Sequence, residues 1–208
     1  MNLSKLFKIQ KQLDERIVKE KGLEGQDLLD KKILALQVEL GELAQNWRGF
    51  KFWSNDQEPR TKVKKVCETC GGERYILISE SFGFDKCSDC DGKGDFGETN
   101  PLLEEYVDCL HFILSIGLDL EIDYNKLDLL ETCSHLPITT IFSELMVMLP
   151  DCLLGHGKTN KESAFEMYDI CLSNFIELGK MLGFTWEQVE QAYLTKNKIN
   201  HERLESGY

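Results

Sequence analysis

The residues of this chain best suited to chemistry fall in two short acidic patterns. Glu39 and Glu42 stand three apart in Leu36-Gln37-Val38-Glu39-Leu40-Gly41-Glu42-Leu43, and Glu105 and Asp108 repeat that spacing in Leu103-Glu104-Glu105-Tyr106-Val107-Asp108-Cys109-Leu110. Residues at i and i+3 share a helix face, so each pair projects two carboxylates in one direction. The leucines around them hold that face at the edge of a core, where paired carboxylates repel one another and lose solvation. A divalent cation between them offsets both costs, and an oxygen-rich set of this kind suits Mg²⁺. A lone pair at this spacing is ordinarily a solvated helix face. Two such pairs on two leucine-rich helices read as the halves of one metal site.

A second constellation is built from cysteine. Of eight cysteines, Cys67, Cys70, Cys87 and Cys90 form two CxxC pairs, whereas Cys109, Cys133, Cys152 and Cys171 are scattered through helical sequence. CxxC-x16-CxxC is structural zinc spacing. The glycines at 71, 72, 92 and 94 permit tight turns that aim backbone N–H groups at thiolate sulfurs. A redox site needs only one CxxC. The knuckles look like the CxxCxGxG repeats of the DnaJ zinc domain, with two repeats in place of four. The scattered four are expected to be reduced, half-buried and structural.

Composition narrows the possibilities. A chain of 208 residues can bury one sizeable core and carry an appendage. Charged residues at 29% and hydrophobic ones at 42% are an ordinary globular balance. The net charge of −12 argues against general nucleic-acid binding. A nucleotide substrate stays compatible, because bound metal inverts the local charge. Met1 to Lys5 begin an amphipathic pattern and not a signal peptide, and no apolar run approaches the ~20 residues of a membrane span. A soluble cytoplasmic protein is expected, with no membrane partner.

The elements that must position these groups are helices. Periodicity predicts them over 2–20, 27–47, 101–116, 123–133, 138–149, 160–182 and 185–200. Asn100-Pro101 should open the third, and Gly117 should end it. Thr159-Asn160-Lys161-Glu162 and Thr185-Trp186-Glu187-Gln188 match the capping box. Residues 65–98 interrupt the pattern as a zinc-binding insertion containing a small β-hairpin, with 1–64 and 99–208 forming the all-α body. There is no dinucleotide-binding glycine fingerprint, phosphate-binding loop or nucleophile elbow. Phosphates must then be held by metal and side chains.

Three further stretches admit two readings each. Trp47-Arg48-Gly49-Phe50-Lys51-Phe52-Trp53 is either a loop pinned by its aromatics or a wall for a planar base. His111, one turn after Asp108, is either a satisfied structural residue or a ligand-facing one. The tail from Tyr193 to Tyr208 gathers Lys196, Lys198, Asn200 and Arg203, either to compensate a helix dipole or to clamp phosphates.

Taken together these residues resemble the dimeric, all-α dUTPases of the MazG-like nucleoside triphosphate pyrophosphatase superfamily. ExxE and ExxD stand at Glu39-x-x-Glu42 and Glu105-x-x-Asp108, and His111 extends the second to ExxDxxH. Gln10 and Asp14 resemble the first-helix motif that reads uracil and deoxyribose. Trp47, Lys51 and Trp53 resemble the aromatic stretch beside the base, and Lys196, Asn200, Arg203 and Tyr208 the C-terminal phosphate motif. The resemblance spans the chain apart from 65–98. It implies a helical bundle and a homodimer with active sites near the subunit interface. It also implies hydrolysis of dUTP, and of dUDP, to dUMP, with two or three Mg²⁺ per site held by Glu39, Glu42, Glu105 and Asp108. Glu39 or Glu42 would orient the attacking water. A dCTP-preferring or broad pyrophosphatase stays open, because the Gln10 amide could flip to read cytosine. From a different class, a non-enzymatic scaffold with a zinc rib also stays open.

Overall fold

The computed structural model describes residues 2–79, 82–129, 136–155 and 160–207. Six α-helices and four short strands follow in the order α1 (Leu3–Glu20), α2 (Leu29–Trp47), β1 (Val63–Val66), β2 (Tyr75–Ser79), β3 (Gly83–Lys86), β4 (Asp95–Thr99), α3 (Pro101–Asp119), α4 (Ile138–Gly155), α5 (Lys161–Met181) and α6 (Trp186–Glu205). The architecture is all-α with a small β insertion, as the sequence predicts. Side chains of α4 are described from Ile138 to Val147.

Helix α3 is the axis of the body. It packs against α1, α2, α5 and α6, and it is buried almost all round from Leu102 to Gly117. Asn100 caps it by accepting from the Leu103 N–H at 3.1 Å, with Pro101 in the first turn. Gly117 does not end the helix, which continues to Asp119. Its role is close packing. A Cβ on Gly117 would lie 2.5 Å from the Tyr168 hydroxyl of α5, which donates to the Ile113 carbonyl at 2.9 Å. Gly179 on α5 does the same for Tyr106 of α3, whose hydroxyl donates to the Phe175 carbonyl at 3.0 Å. Each helix thus lends the other a tyrosine and a gap to receive it. Gly117→Ala should destabilise the protein by about 1–3 kcal/mol through overpacking against a rigid, hydrogen-bonded ring. Chemical denaturation would check this, and an unchanged midpoint would contradict the packing role.

Other elements depart from their predicted ends for local reasons. The described residues 123–129 form turns and no helix, and 130–133 lie outside the described residues. Helix α6 runs past residue 200 to Glu205, and its Thr185–Gln188 capping box is present on both sides. Helix α5 is capped by Asn160, which accepts from Glu162 and Ser163; Thr159 lies outside the described residues. Cys109 and Cys171 are in no disulfide and are fully buried, beyond the half-burial expected, whereas Cys133 and the side chain of Cys152 lie outside the described set.

The insertion is a rib of two antiparallel strand pairs. The β2·β3 hairpin was expected, with Leu77 opposite Phe84. The β1·β4 stem was not, and it sets Val63 opposite Thr99 immediately before the Asn100 cap. Among the described residues no strand packs appreciably against a helix. The buried centre of the rib is the four cysteines with Ile76 beside them. Tyr75, Leu77, Ile78, Phe82, Phe84 and Phe96 are exposed on its surface.

Candidate active site and cysteine centre

Burial of Leu36, Leu40 and Leu43 turns the acidic edge of α2 toward α3. Carboxylate oxygens of Glu39, Glu105 and Asp108 then lie within 4.8 Å of one another. Glu42 stands outside this trio, but its charge is felt by both Glu39 and Glu105. Burial, then the charges of Asp108 and Glu42, raise Glu39 above the usual carboxylate range. Burial and the charges of Asp108, Glu42 and Glu39 push Glu105 to about 7. A cation between these groups would relieve such mutual repulsion. Asn46 at the end of α2 donates to Glu105 at 3.4 Å, while its carbonyl accepts from the Arg60 N–H at 2.9 Å. The Arg60 carbonyl in turn accepts from Leu102 at 3.1 Å, tying the end of α2 to the start of α3.

A cavity of about 490 Å³ opens beside the trio, between α1, α2, α3 and α6. Glu39 and Asp108 border it, and Gln10, Asp14, His111 and Ser115 form a polar group within its lining. Lys196, Asn200 and Arg203 also line it, spaced i, i+4 and i+7 along one face of α6. The Lys196 ammonium lies 2.5 Å from Asp108 Oδ2. Ile17 and Val18 of α1 are half-buried and form part of the cavity wall.

The polar group is one connected network. Gln10 Oε1 accepts from the Tyr193 hydroxyl at 2.7 Å and from His111 Nδ1 at 2.7 Å, and Gln10 Nε2 donates to Asp14 Oδ1 at 2.7 Å. Ser115 donates to Asp14 Oδ2 at 2.6 Å. The Asp14 carboxylate sets the orientation of the Gln10 amide: turned over, the amide carbonyl would face that acceptor, whereas the Tyr193 hydroxyl and the His111 ring can each donate or accept. His111 stacks on the Tyr193 ring at 4.1 Å, and burial, aided by the Lys196 charge, lowers its pKa to about 3. It is a neutral imidazole whose buried Nε2 has no hydrogen-bond partner among the described residues. Burial likewise raises Asp14, against the opposing contacts of Ser115 and Lys32.

Several lining residues escaped sequence reasoning. Phe112, Ser115 and Lys32 carry no motif of their own, and neither does Tyr193, which reaches Gln10 from outside the lining. Spacing could have found them, since Ser115 is i+7 from Asp108 and Lys32 is i−7 from Glu39. Conversely, Trp47, Lys51 and Trp53 do not line this cavity. Trp47 stacks on Phe142 of α4 at 5.6 Å, Lys51 sits over the Phe50 ring at 5.7 Å, and Trp53 is exposed beside Phe50 and Phe52. Tyr208 lies outside the described residues.

In the rib, the four Sγ atoms also lie within 4.8 Å of one another and are buried. Cys67 and Cys87 are 3.8 Å apart, and Cys70 and Cys90 are 3.7 Å apart. These spacings are too long for a disulfide. They equal the edge of a tetrahedron with metal–sulfur bonds of ~2.3 Å, which is ~3.8 Å. The Gly94 N–H donates to Cys90 Sγ at 3.3 Å, a contact that favours thiolate. The donor set fits a tetrahedral, sulfur-preferring ion.

The dUTPase family model matches residues 2–68 and 93–208. The chain therefore belongs to the dUTPase family, and the activity this implies is that of a dUTP diphosphatase. The match leaves out 69–92, which hold three of the four clustered cysteines. No curated protein matches the chain. Among the described residues no helix is long and apolar enough to cross a membrane.

Proposed function

We propose that the cavity binds dUTP, and also dUDP, and releases dUMP, with Mg²⁺ held by Glu39, Glu105 and Asp108 and reached by Glu42. One observation carries this reading: two members of the carboxylate trio, Glu39 and Asp108, and the Gln10 amide network border the same 490 Å³ cavity. Mg²⁺ would neutralise the polyphosphate and acidify the attacking water. Glu42, near the trio but not part of it, would orient that water and take its proton. Lys196 and Arg203 would stabilise charge developing on the departing phosphate. The test is protein stripped of metal and resupplied with Mg²⁺. The expected products are dUMP and pyrophosphate from dUTP, and dUMP and phosphate from dUDP. Undiminished turnover in chelator would contradict it.

Uracil is favoured over cytosine by the Gln10 amide. Its carbonyl is already taken by two donors, so only an N–H remains to meet the base. A uracil carbonyl accepts that N–H, whereas the amino group of cytosine opposes it. Phe112 offers an apolar wall for the ring, and Asp14 an acceptor for the sugar hydroxyl. Tyr193→Phe frees one lone pair on Gln10 Oε1 and should narrow the dUTP-to-dCTP preference in kcat/KM by roughly tenfold, as about 1.4 kcal/mol of discrimination is lost. An unchanged ratio would count against the amide as the base reader.

A homodimer is supported by an apolar face of α2 that stands exposed among the described residues. Leu34 and Val38 are exposed, no described atom lies within 4 Å of a Cβ on Gly41, and Val147 of the adjoining α4 is exposed as well. Light scattering should give twice 23.9 kDa, and Leu34→Asp with Val38→Asp should give the monomer mass. A wild-type monomer of full activity would contradict the dimer. Structural Zn²⁺ in the rib is supported by the four-sulfur tetrahedron. Cys109 and Cys171, in no disulfide, suit a reducing, cytoplasmic location.

A further inference from the structure

Lys196 stands where its charge serves two partners that cannot both keep it. It projects from α6 on the face that also carries Asn200 and Arg203 toward the cavity. Its ammonium lies 2.5 Å from Asp108 Oδ2, with the lysine side chain 23% and the aspartate side chain 17% exposed. The same charge acts on Glu39 and Glu105, the other members of the trio. An ammonium is a compact point charge with three donors, suited to several carboxylate oxygens at once. A divalent ion bound by the trio would sit ~2.1 Å from a ligand oxygen. That oxygen cannot also keep a cation at hydrogen-bond distance without strong repulsion.

We infer that Lys196 is a built-in counter-ion: it holds the trio together in the metal-free protein and gives up its place on Asp108 when the divalent ion arrives. The inference rests on the trio being the metal site. The four-carbon stem lets the ammonium swing without any movement of α6. The cavity that Lys196 lines gives it a new anionic partner in the nucleotide's phosphates. Metal and nucleotide then assist one another, because the phosphates accept the charge that the metal evicts. A coupling of this kind is reciprocal, so each ligand tightens the other by the same factor. Without nucleotide the evicted ammonium has no equivalent partner, and the site is held below its intrinsic metal affinity.

The test measures Mn²⁺ binding by the paramagnetic resonance signal of the free ion, with no turnover involved. Without nucleotide, Lys196→Met should bind Mn²⁺ at least tenfold tighter than wild type, whereas Lys196→Arg should stay near it. A non-hydrolysable imido analogue of dUTP should tighten Mn²⁺ in wild type, and that gain should shrink by about the same factor in Lys196→Met. Equal or weaker Mn²⁺ affinity in Lys196→Met would overturn the inference. Lys196→Gln repeats the comparison with a polar side chain. The rise in thermal midpoint on adding Mn²⁺ gives a second readout, expected to be larger for both neutral variants than for wild type. Wild type and Asp108→Asn separate the two levels of the argument. Wild type that binds no Mn²⁺ through Asp108 would remove the metal reading itself. Wild type that binds Mn²⁺ while neutral variants bind it no tighter would remove only the role given to Lys196.

Discussion

Glu105→Gln is expected to lower dUTP turnover by roughly 10²–10³-fold, the scale for removing one preorganised charge-stabilising group, and at the same time to raise the stability of the metal-free protein above neutral pH. The two effects share one cause. Glu105 is pushed from 4.5 to about 7 by burial and by the charges of Asp108, Glu42 and Glu39. Between those two values the folded state holds a proton that the unfolded state has released, so stability falls as pH rises through the window. Above about 7 both states are ionised and the repulsion is fully expressed. Glutamine keeps the shape and can still accept from Asn46, but it adds no charge. Its stabilisation should therefore be present at pH 8 and vanish by pH 4. Thermal unfolding in chelator at both pH values checks this. A variant that lost both activity and stability would be a folding defect, and one that kept activity would remove Glu105 from the metal set.

Removing zinc should unfold the rib and leave the body and its chemistry intact. Among its described residues the rib's hydrophobic core is Cys67, Cys70, Cys87 and Cys90 with Ile76 packed beside them. Four unbridged thiols cannot hold two strand pairs together, and zinc affinity in such modules is itself folding free energy, about 10–16 kcal/mol in isolated finger peptides. Its exposed aromatics gain nothing from the helices, because no described strand packs appreciably against one. The link between α2 and α3 is meanwhile held below the rib by Asn46, Arg60 and Leu102. Opening the stem lengthens a surface loop, at about 0.6 kcal/mol per doubling. After chelation and resupply of Mg²⁺, or in Cys87→Ser, trypsin should cut within 63–99. The helical signal should melt at the wild-type temperature and dUTP turnover should stay within about twofold. A large loss of turnover with Mg²⁺ present would show that the rib braces the site after all.

The parts of this molecule legible in its sequence are those specified locally. The ExxE and ExxD spacings, the leucines beside them, the Asn100-Pro101 cap and the CxxC pairs each fix their own geometry within one turn of chain. The trio and the four-sulfur cluster follow from them. Specificity was less legible because it is assembled across helices. Gln10 suggested an amide free to read either base, but Tyr193 and His111, on α6 and α3, consume its carbonyl. Gly117 suggested a helix stop because the partner that needs its missing side chain, Tyr168, is on α5. The aromatic stretch from Trp47 to Trp53 carried the strongest compositional signal and lies off the cavity lining. Composition records what a loop contains and not what it faces.

The most direct measurement of the account is a parallel kcat/KM determination with Mg²⁺ on dUTP, dCTP, dTTP and dATP, with chelator as the blank. The account predicts release of pyrophosphate from dUTP, at least a hundredfold preference over dCTP, and nothing in chelator. Comparable rates on dUTP and dCTP would contradict the fixed amide as the selector. No metal-dependent release from any of the four would contradict the carboxylate trio as a catalytic centre.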